Sequence, residues 1–422
     1  MLFSQSSAKL FSVSAIAAGL LACASFSPPM ARAQSPNASD HFRVLLQYPN
    51  PTDAGGPTAR LLRDDEGILY GVGGGGNDND GVVFKLSPGG QETVLYSFNG
   101  TDGSYPKGGL VRDADGNLYG TTAYGGPKGY GTVFKLTPDG VFTVLHKFHG
   151  APDGATPRGD LLLGADGNIY GTTTEGGTGC PNPYGPTGCG TVFKITPAGK
   201  ESILYRFTDS PDGAHPEAGL VADADGNLYG ATGQGGIIYA REFALGTVFR
   251  VTPDGQETVL YSFNGSAAGD GQNPDATLIW DEFGNLLGTT TEGGPNGGGT
   301  VFRLSLTGVE SVLYSFPTSS TDGYAPNAGL VRDRDGNLFG TTVNGGNETN
   351  GCGGSGCGTV FRLTPNNAET IIHSFIDTGN NGCVLYSGLT AGRDRTLYGS
   401  TLFCGTTGNG TIFAIRPNGD PH

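Results

Sequence analysis

Three phrases recur together seven times along this chain, and no other feature limits its fold as strongly. One resembles GNLYGTT and sets its anchor residue at Tyr70, Tyr119, Tyr170, Tyr229, Leu287, Phe339 and Tyr398. A second, GTVFKLTP, places its Phe at 84, 134, 193, 249, 302, 361 and 413, and a third, TVLYSF, ends at Tyr48, Phe98, Phe148, Phe207, Phe263, Phe316 and Phe375. The mean spacing is about 55 residues, so the repeats use the whole chain after its leader and leave nothing for a second domain. Each unit holds four β-rich runs, as in Gly109 to Asp113, Asn117 to Thr122, Thr132 to Thr137 and Phe142 to Phe148, separated by Gly, Pro and Asp. In the fourth run, Val94, Tyr96 and Phe98 alternate with Leu95 and Ser97, the period of a strand with two faces, both largely apolar. Four-stranded sheets covered on both sides and repeated at this period predict an all-β fold, a single seven-bladed β-propeller. A parallel β-helix repeats at about half this length, and a sandwich does not repeat sevenfold.

The chain opens with an outer-strand run, Phe42 to Tyr48, and its last run is a third strand, Thr411 to Pro417. The N-terminal strand is therefore expected to complete the last blade and protect its edge. The expected layout is a signal peptide at 1–33, a short linker at 34–41, the propeller at 42–417 and a tail at 418–422.

Glycine, 76 of 422 residues, is more than twice the usual share, which excludes a helix-rich enzyme; without a three-residue period it also excludes collagen. A net charge of −15 argues against nucleic acid or an anionic membrane as partner. Lys9, the apolar run from Leu10 to about Phe26 and the small-residue site Ala31-Arg32-Ala33 read as an export signal cleaved after Ala33. Cleavage removes Lys9 and Arg32 and no acid, taking the charge from −15 to −17. Leu20-Leu21-Ala22-Cys23 loosely matches a lipobox, with Cys23 as the acylation site, but the Ala-Arg-Ala site fits better. No stretch is long enough for membrane insertion, and the expected product is a secreted, extracellular or periplasmic monomer.

The turns between first and second strands, such as Asp115-Gly116-Asn117 and Asp335-Gly336-Asn337, are short and alike, as Asp-Gly turns with positive φ must be. Length varies only in the connections expected on the opposite face, where Gly176–Gly190, Gly233–Gly246 and Asn344–Gly358 are inserted; that face is the expected binding surface. The six cysteines after the leader fall into local pairs, Cys180 with Cys189, Cys352 with Cys357, and Cys383 with Cys404. Three disulfides are expected, and finger-like zinc spacing is absent.

GNLYGTT through GTVFKLTP to TVLYSF, followed by DGxxP, resembles the GloVer (Gloeo/Verruco) tandem repeat of secreted bacterial proteins, over essentially residues 42 to 417. The resemblance implies a propeller and export but transfers no activity and no catalytic residues. It also implies a C-terminal sorting or anchoring segment in many members, which residues 418–422 do not provide.

Candidate chemistry is sparse. Asp102, Asp153, Asp212, Asp270 and Asp322 recur before Gly, with Asp53 and Asp377 as looser equivalents; a calcium ring is conceivable chemistry, but a repeated Asp-Gly turn accounts for them. GGGGNDND at Gly73 to Asp80 matches one calcium nonapeptide where stacked copies are needed. No cofactor or metal is expected, and calcium is the alternative. His146 and His149 lie three apart on a predicted strand and should face opposite ways, unable to chelate together. Blade four departs most from the repeat, with His215 and Glu217 before its first strand and Tyr239, Arg241 and Glu242 in its long loop. An imidazole or phenol base beside an Arg would suit polysaccharide β-elimination, while Glu175 and Glu292 could act as a hydrolytic carboxylate pair. With no strong catalytic motif, the leading expectation is a ligand-binding or interaction scaffold for a polysaccharide or an extracellular protein. A lyase or glycoside hydrolase is the alternative, and a structural envelope protein the third reading.

Overall fold

A computed structural model describes residues 42–48, 54–180, 188–237, 245–318, 322–346, 352–377 and 381–417; the leader, the linker and the tail lie outside them. Seven antiparallel sheets form a seven-bladed β-propeller. In blade two the strands are Val111–Arg112, Leu118–Thr122, Thr132–Leu136 and Phe142–Lys147, in that order from axis to rim. The first strand of every blade holds only two paired residues, shorter than the five-residue run read from the sequence. Neighbouring blades crowd there: a Cβ on Gly108 would lie 2.4 Å from the carbonyl oxygen of Gly159 in the next blade.

Arg43–Gln47 pairs antiparallel with Thr411–Ile415, so the N-terminal strand supplies the outer strand of blade seven. Each outer strand carries a bulge, between Val94 and Tyr96 in blade one and between Val144 and His146 in blade two, which interrupts the strict alternation expected there.

The core is divided among the seven junctions between blades. The Phe of each third strand is fully buried and meets the outer-strand aromatic of the preceding blade, edge to face at six of the seven junctions, as Phe98 with Phe134 at 5.3 Å, Phe207 with Phe249 at 4.9 Å, and Phe316 with Phe361 at 5.1 Å between centroids. Such pairs add about 0.5–1.5 kcal/mol beyond their burial. The same ring explains the glycine of the first phrase. A Cβ on Gly120 or Gly230 would stand 2.6 Å from the Cζ of Phe134 or Phe249 across the sheet, so only hydrogen fits. In six blades a buried threonine pair ties the second and third strands, as Thr122 Oγ1 to Thr132 Oγ1 at 2.8 Å and Thr232 to Thr247 at 2.9 Å. Blade one has Gly73 and Val82 instead.

Candidate functional site at the axial mouth

The loops entering each first strand and those joining second to third strands bridge each other, as Ser104 with Tyr124, Ala214 with Gln234 and Tyr324 with Asn344. They therefore share one face, the one where all length variation falls. The opposite face is occupied by fixed turns. Asp113 accepts the Asn117 backbone N–H at 2.8 Å and the Tyr119 hydroxyl at 2.9 Å, and burial with that hydrogen bond pushes Tyr119 up to about 12.

On the variable face each chain segment turns inward at one strained residue. Tyr105, Thr156, His215, Asn273, Ala325 and Val384 have φ of 56–63°, and Gly56 takes the same place in blade one. A non-glycine residue in this region costs energy and is held by its surroundings. The next residue, Pro in six blades, is followed by one that borders a central cavity of about 400 Å³. Blades one, two and three contribute Thr58, Lys107 and Arg158 there; blades four to seven contribute Glu217, Asp275, Asn327 and Tyr386.

Charge is unevenly placed on this ring. Two cations on adjacent blades are followed by two carboxylates. Arg158 Nη1 meets Glu217 Oε1 at 2.8 Å. Lys107 has no carboxylate within ion-pair distance among the described residues, and burial together with the Arg158 charge holds its amine below its ordinary pKa. Asp275 accepts the Thr291 hydroxyl at 3.3 Å. Burial, reinforced by Glu217, pushes its carboxyl up to about 6. Deeper along the axis Arg60 faces Asp160 at 3.7 Å, whose Oδ1 accepts the Gly109 N–H at 2.5 Å.

Beside the two cations stand two exposed tyrosines. Tyr105 and Tyr124 are 47% and 43% accessible, with ring centroids 5.9 Å apart. Lys107 Nζ lies 5.4 Å from the Tyr105 ring, and Arg158 Nη2 is 3.5 Å from the Tyr124 hydroxyl.

Of the residues singled out in the sequence, Glu217 belongs to the axial ring. His215 is the strained residue of blade four, and its Nδ1 meets the Thr174 carbonyl at 3.0 Å. Glu175 accepts the Thr156 hydroxyl at 3.1 Å and Glu292 the Gln272 amide at 2.6 Å; they sit at equivalent places in blades three and five, each tied to its own loop. Tyr239, Arg241 and Glu242 lie outside the described residues, as does Asp53. Sequence reasoning missed Lys107, Arg158, Asp275, Asn327 and Tyr386. A usable signal existed: the position after DGxxP varies in charge from copy to copy while its neighbours repeat.

The recurring aspartates are spread around the circumference. Asp102 and Asp212 accept the hydroxyls of Tyr96 and Tyr205 at 2.5 and 2.7 Å, together with the N–H groups of Asn99 and Thr208. They tie each outer strand to the loop that follows it. The expectation that His146 and His149 diverge is wrong: the bulge precedes His146 and the strand ends at Lys147, so alternation does not extend to His149. Both rings turn onto Asp153 Oδ2, at 3.4 and 3.3 Å.

Disulfides join Cys180 to Cys189, Cys352 to Cys357 and Cys383 to Cys404, bonds that persist in oxidising compartments. Among the described residues no helix is long and apolar enough to cross a membrane.

These repeated blades define a class of protein, a β-propeller built from one tandem sequence unit. The Gloeobacter/Verrucomicrobia repeat model matches residues 34–181 and 182–413, and the chain belongs to that family. No protein of curated function matches the sequence. Among solved structures it is similar to a putative 6-phosphogluconolactonase from Bacteroides uniformis, at 17% identity over 75% of this chain and 84% of that one, with a TM-score of 0.47. A gluconolactonase from Xanthomonas campestris is similar at 14% identity over 80% and 90%, with a TM-score of 0.42. The PQQ-bound aldose sugar dehydrogenase of Streptomyces coelicolor is similar at 14% identity over 90% and 99%, with a TM-score of 0.45. At that distance these proteins say nothing about the chemistry of this chain.

Proposed function

We propose that this chain is a secreted binding propeller whose axial mouth takes a carboxylate-bearing carbohydrate. The observation that carries the reading is the pairing of Tyr105 and Tyr124, two exposed rings, with the half-buried Lys107 and Arg158 beside a polar cavity. Aromatic faces stack on the apolar faces of sugar rings, and a cation that lacks a carboxylate partner among the described residues favours an anionic ligand. The strained backbone at Tyr105 and Thr156, two residues before Lys107 and Arg158, presents these groups in one geometry, so little ordering is left for binding to accomplish.

The test is calorimetric titration of residues 34–422 with uronate oligosaccharides and with their neutral counterparts. Uronates are expected to bind more tightly, with Lys107→Ala weakening them about tenfold, on the order of 1.4 kcal/mol, and Tyr124→Ala by about 1 kcal/mol. Equal affinity for charged and neutral sugars, or none for either, would remove this reading.

A second reading, a glycoside hydrolase, draws on one observation. Asp275, with its carboxyl raised to about 6 beside Glu217, is suited to hold a proton for a leaving group. Release of reducing ends that is abolished in Asp275→Asn would establish it; binding without release would leave the protein a binding module.

A further inference from the structure

At the junction of blades two and three the geometry points to a zinc site formed by His146, His149 and Asp153, with solvent as the fourth ligand. Nε2 of His146, Nδ1 of His149 and a carboxylate oxygen of Asp153 all lie within 4.8 Å of one another. The two imidazole nitrogens stand 3.4 and 3.3 Å from the same Asp153 oxygen, long for hydrogen bonds to a carboxylate. Tetrahedral zinc with bonds of about 2.0–2.1 Å sets neighbouring ligand atoms about 3.3–3.4 Å apart, which is the separation found for both nitrogen–oxygen pairs.

The other junctions act as internal controls. Where Asp102, Asp212 and Asp270 occupy this place, the outer strand presents Tyr96, Tyr205 or Tyr261, whose hydroxyl donates to the aspartate at 2.5–2.9 Å. The residue after the following Phe is Asn99, Thr208 or Asn264, and it contributes its backbone N–H. At Asp153 alone of these four, both positions carry histidine, the two changes that turn a tyrosine staple into a set of nitrogen donors.

The side chain of His149 is 61% accessible, which leaves a path for the ion. With two imidazoles and one carboxylate the site suits zinc better than calcium, which prefers six or more oxygens. A bound ion would clip the end of the outer strand of blade two to the loop that enters blade three.

Tag-free residues 34–422, stripped with chelator, should take up one equivalent of Zn²⁺ in calorimetry. Co²⁺ should give the visible bands of a tetrahedral ion, and both affinities should rise with pH as the imidazoles lose their protons. His146→Tyr and His149→Asn restore residues that neighbouring junctions carry, so folding is kept. Each is expected to weaken zinc about 100-fold or more. Absence of saturable binding, or one equivalent retained unchanged in both histidine variants, would overturn the site. Neither result bears on carbohydrate binding at the axis.

Discussion

Glu257, Glu310 and Glu369 open the outer strands of blades four, five and six, and each has one buried oxygen without a hydrogen-bond partner among the described residues. Burial, reinforced by Asp212, Asp270 and Asp322 of the adjoining loops, pushes the three carboxyls up to about 7, 7 and 8. A carboxyl whose pKa is raised on folding binds its proton more tightly folded than unfolded. It leaves stability intact below its unfolded value of 4.5 and subtracts from it as pH rises from there towards 7 and 8. Glu369→Gln is therefore expected to raise the melting temperature at pH 8 by an amount on the order of 1 kcal/mol in stability, with little change at pH 4.5. Matched thermal melts at the two pH values check it, and an equal gain at both would show that packing rather than charge is responsible. At the axis the same reasoning gives Asp275 a proton-holding role below about pH 6, and there the carboxyl meets the cavity instead of the next blade.

Within a blade, the contact between the glycine of the second strand and the Phe of the third decides how close two strands and a neighbouring blade can lie. Gly230→Ala, which would press a methyl to 2.6 Å from Phe249 Cζ, is expected to cost about 1–3 kcal/mol in denaturant unfolding. Phe249→Leu in the same background should recover part of that loss, and a double-mutant cycle with no coupling would separate the two residues. The legibility of the fold rests on contacts of this kind. Gly230 and Phe249 recur in phrase after phrase because each copy must satisfy the same local packing, so blade number, strand order and closure could be read from spacing alone. The axial site could not. Lys107, Arg158 and Asp275 are brought together by the ring closing across some 170 residues, and nothing near any one of them in the chain announces the other two. His215 and Glu217 drew notice for departing from the repeat, yet one is a strained hinge and the other a ring member paired with Arg158. His146 and His149 were misread because a bulge and a strand end, invisible in a period-two pattern, changed the direction of both side chains.

For the whole molecule, stability depends on the ring being complete. Removing residues 34–49 would leave Thr411–Ile415 without its outer neighbour and would uncover Phe413, which Phe42 and Phe375 now help to cover. Such a truncated protein is expected to melt well below residues 34–422 and to self-associate through the open edge, as scanning calorimetry and light scattering would record; unchanged melting would mean that closure adds nothing. Phe42 also stacks on His373 at 3.9 Å, a ring that burial holds neutral down to about pH 4. The pairing of the first strand with the last has a consequence in time as well as in energy. A ribosome adding about 5–20 residues per second needs roughly 20–70 s to pass from the first strand to the last. Throughout that interval Arg43–Gln47 has no partner, and the circle cannot lock. The ring therefore closes only when its final blade is made, and the first strand of the chain acts as a clasp that fastens last.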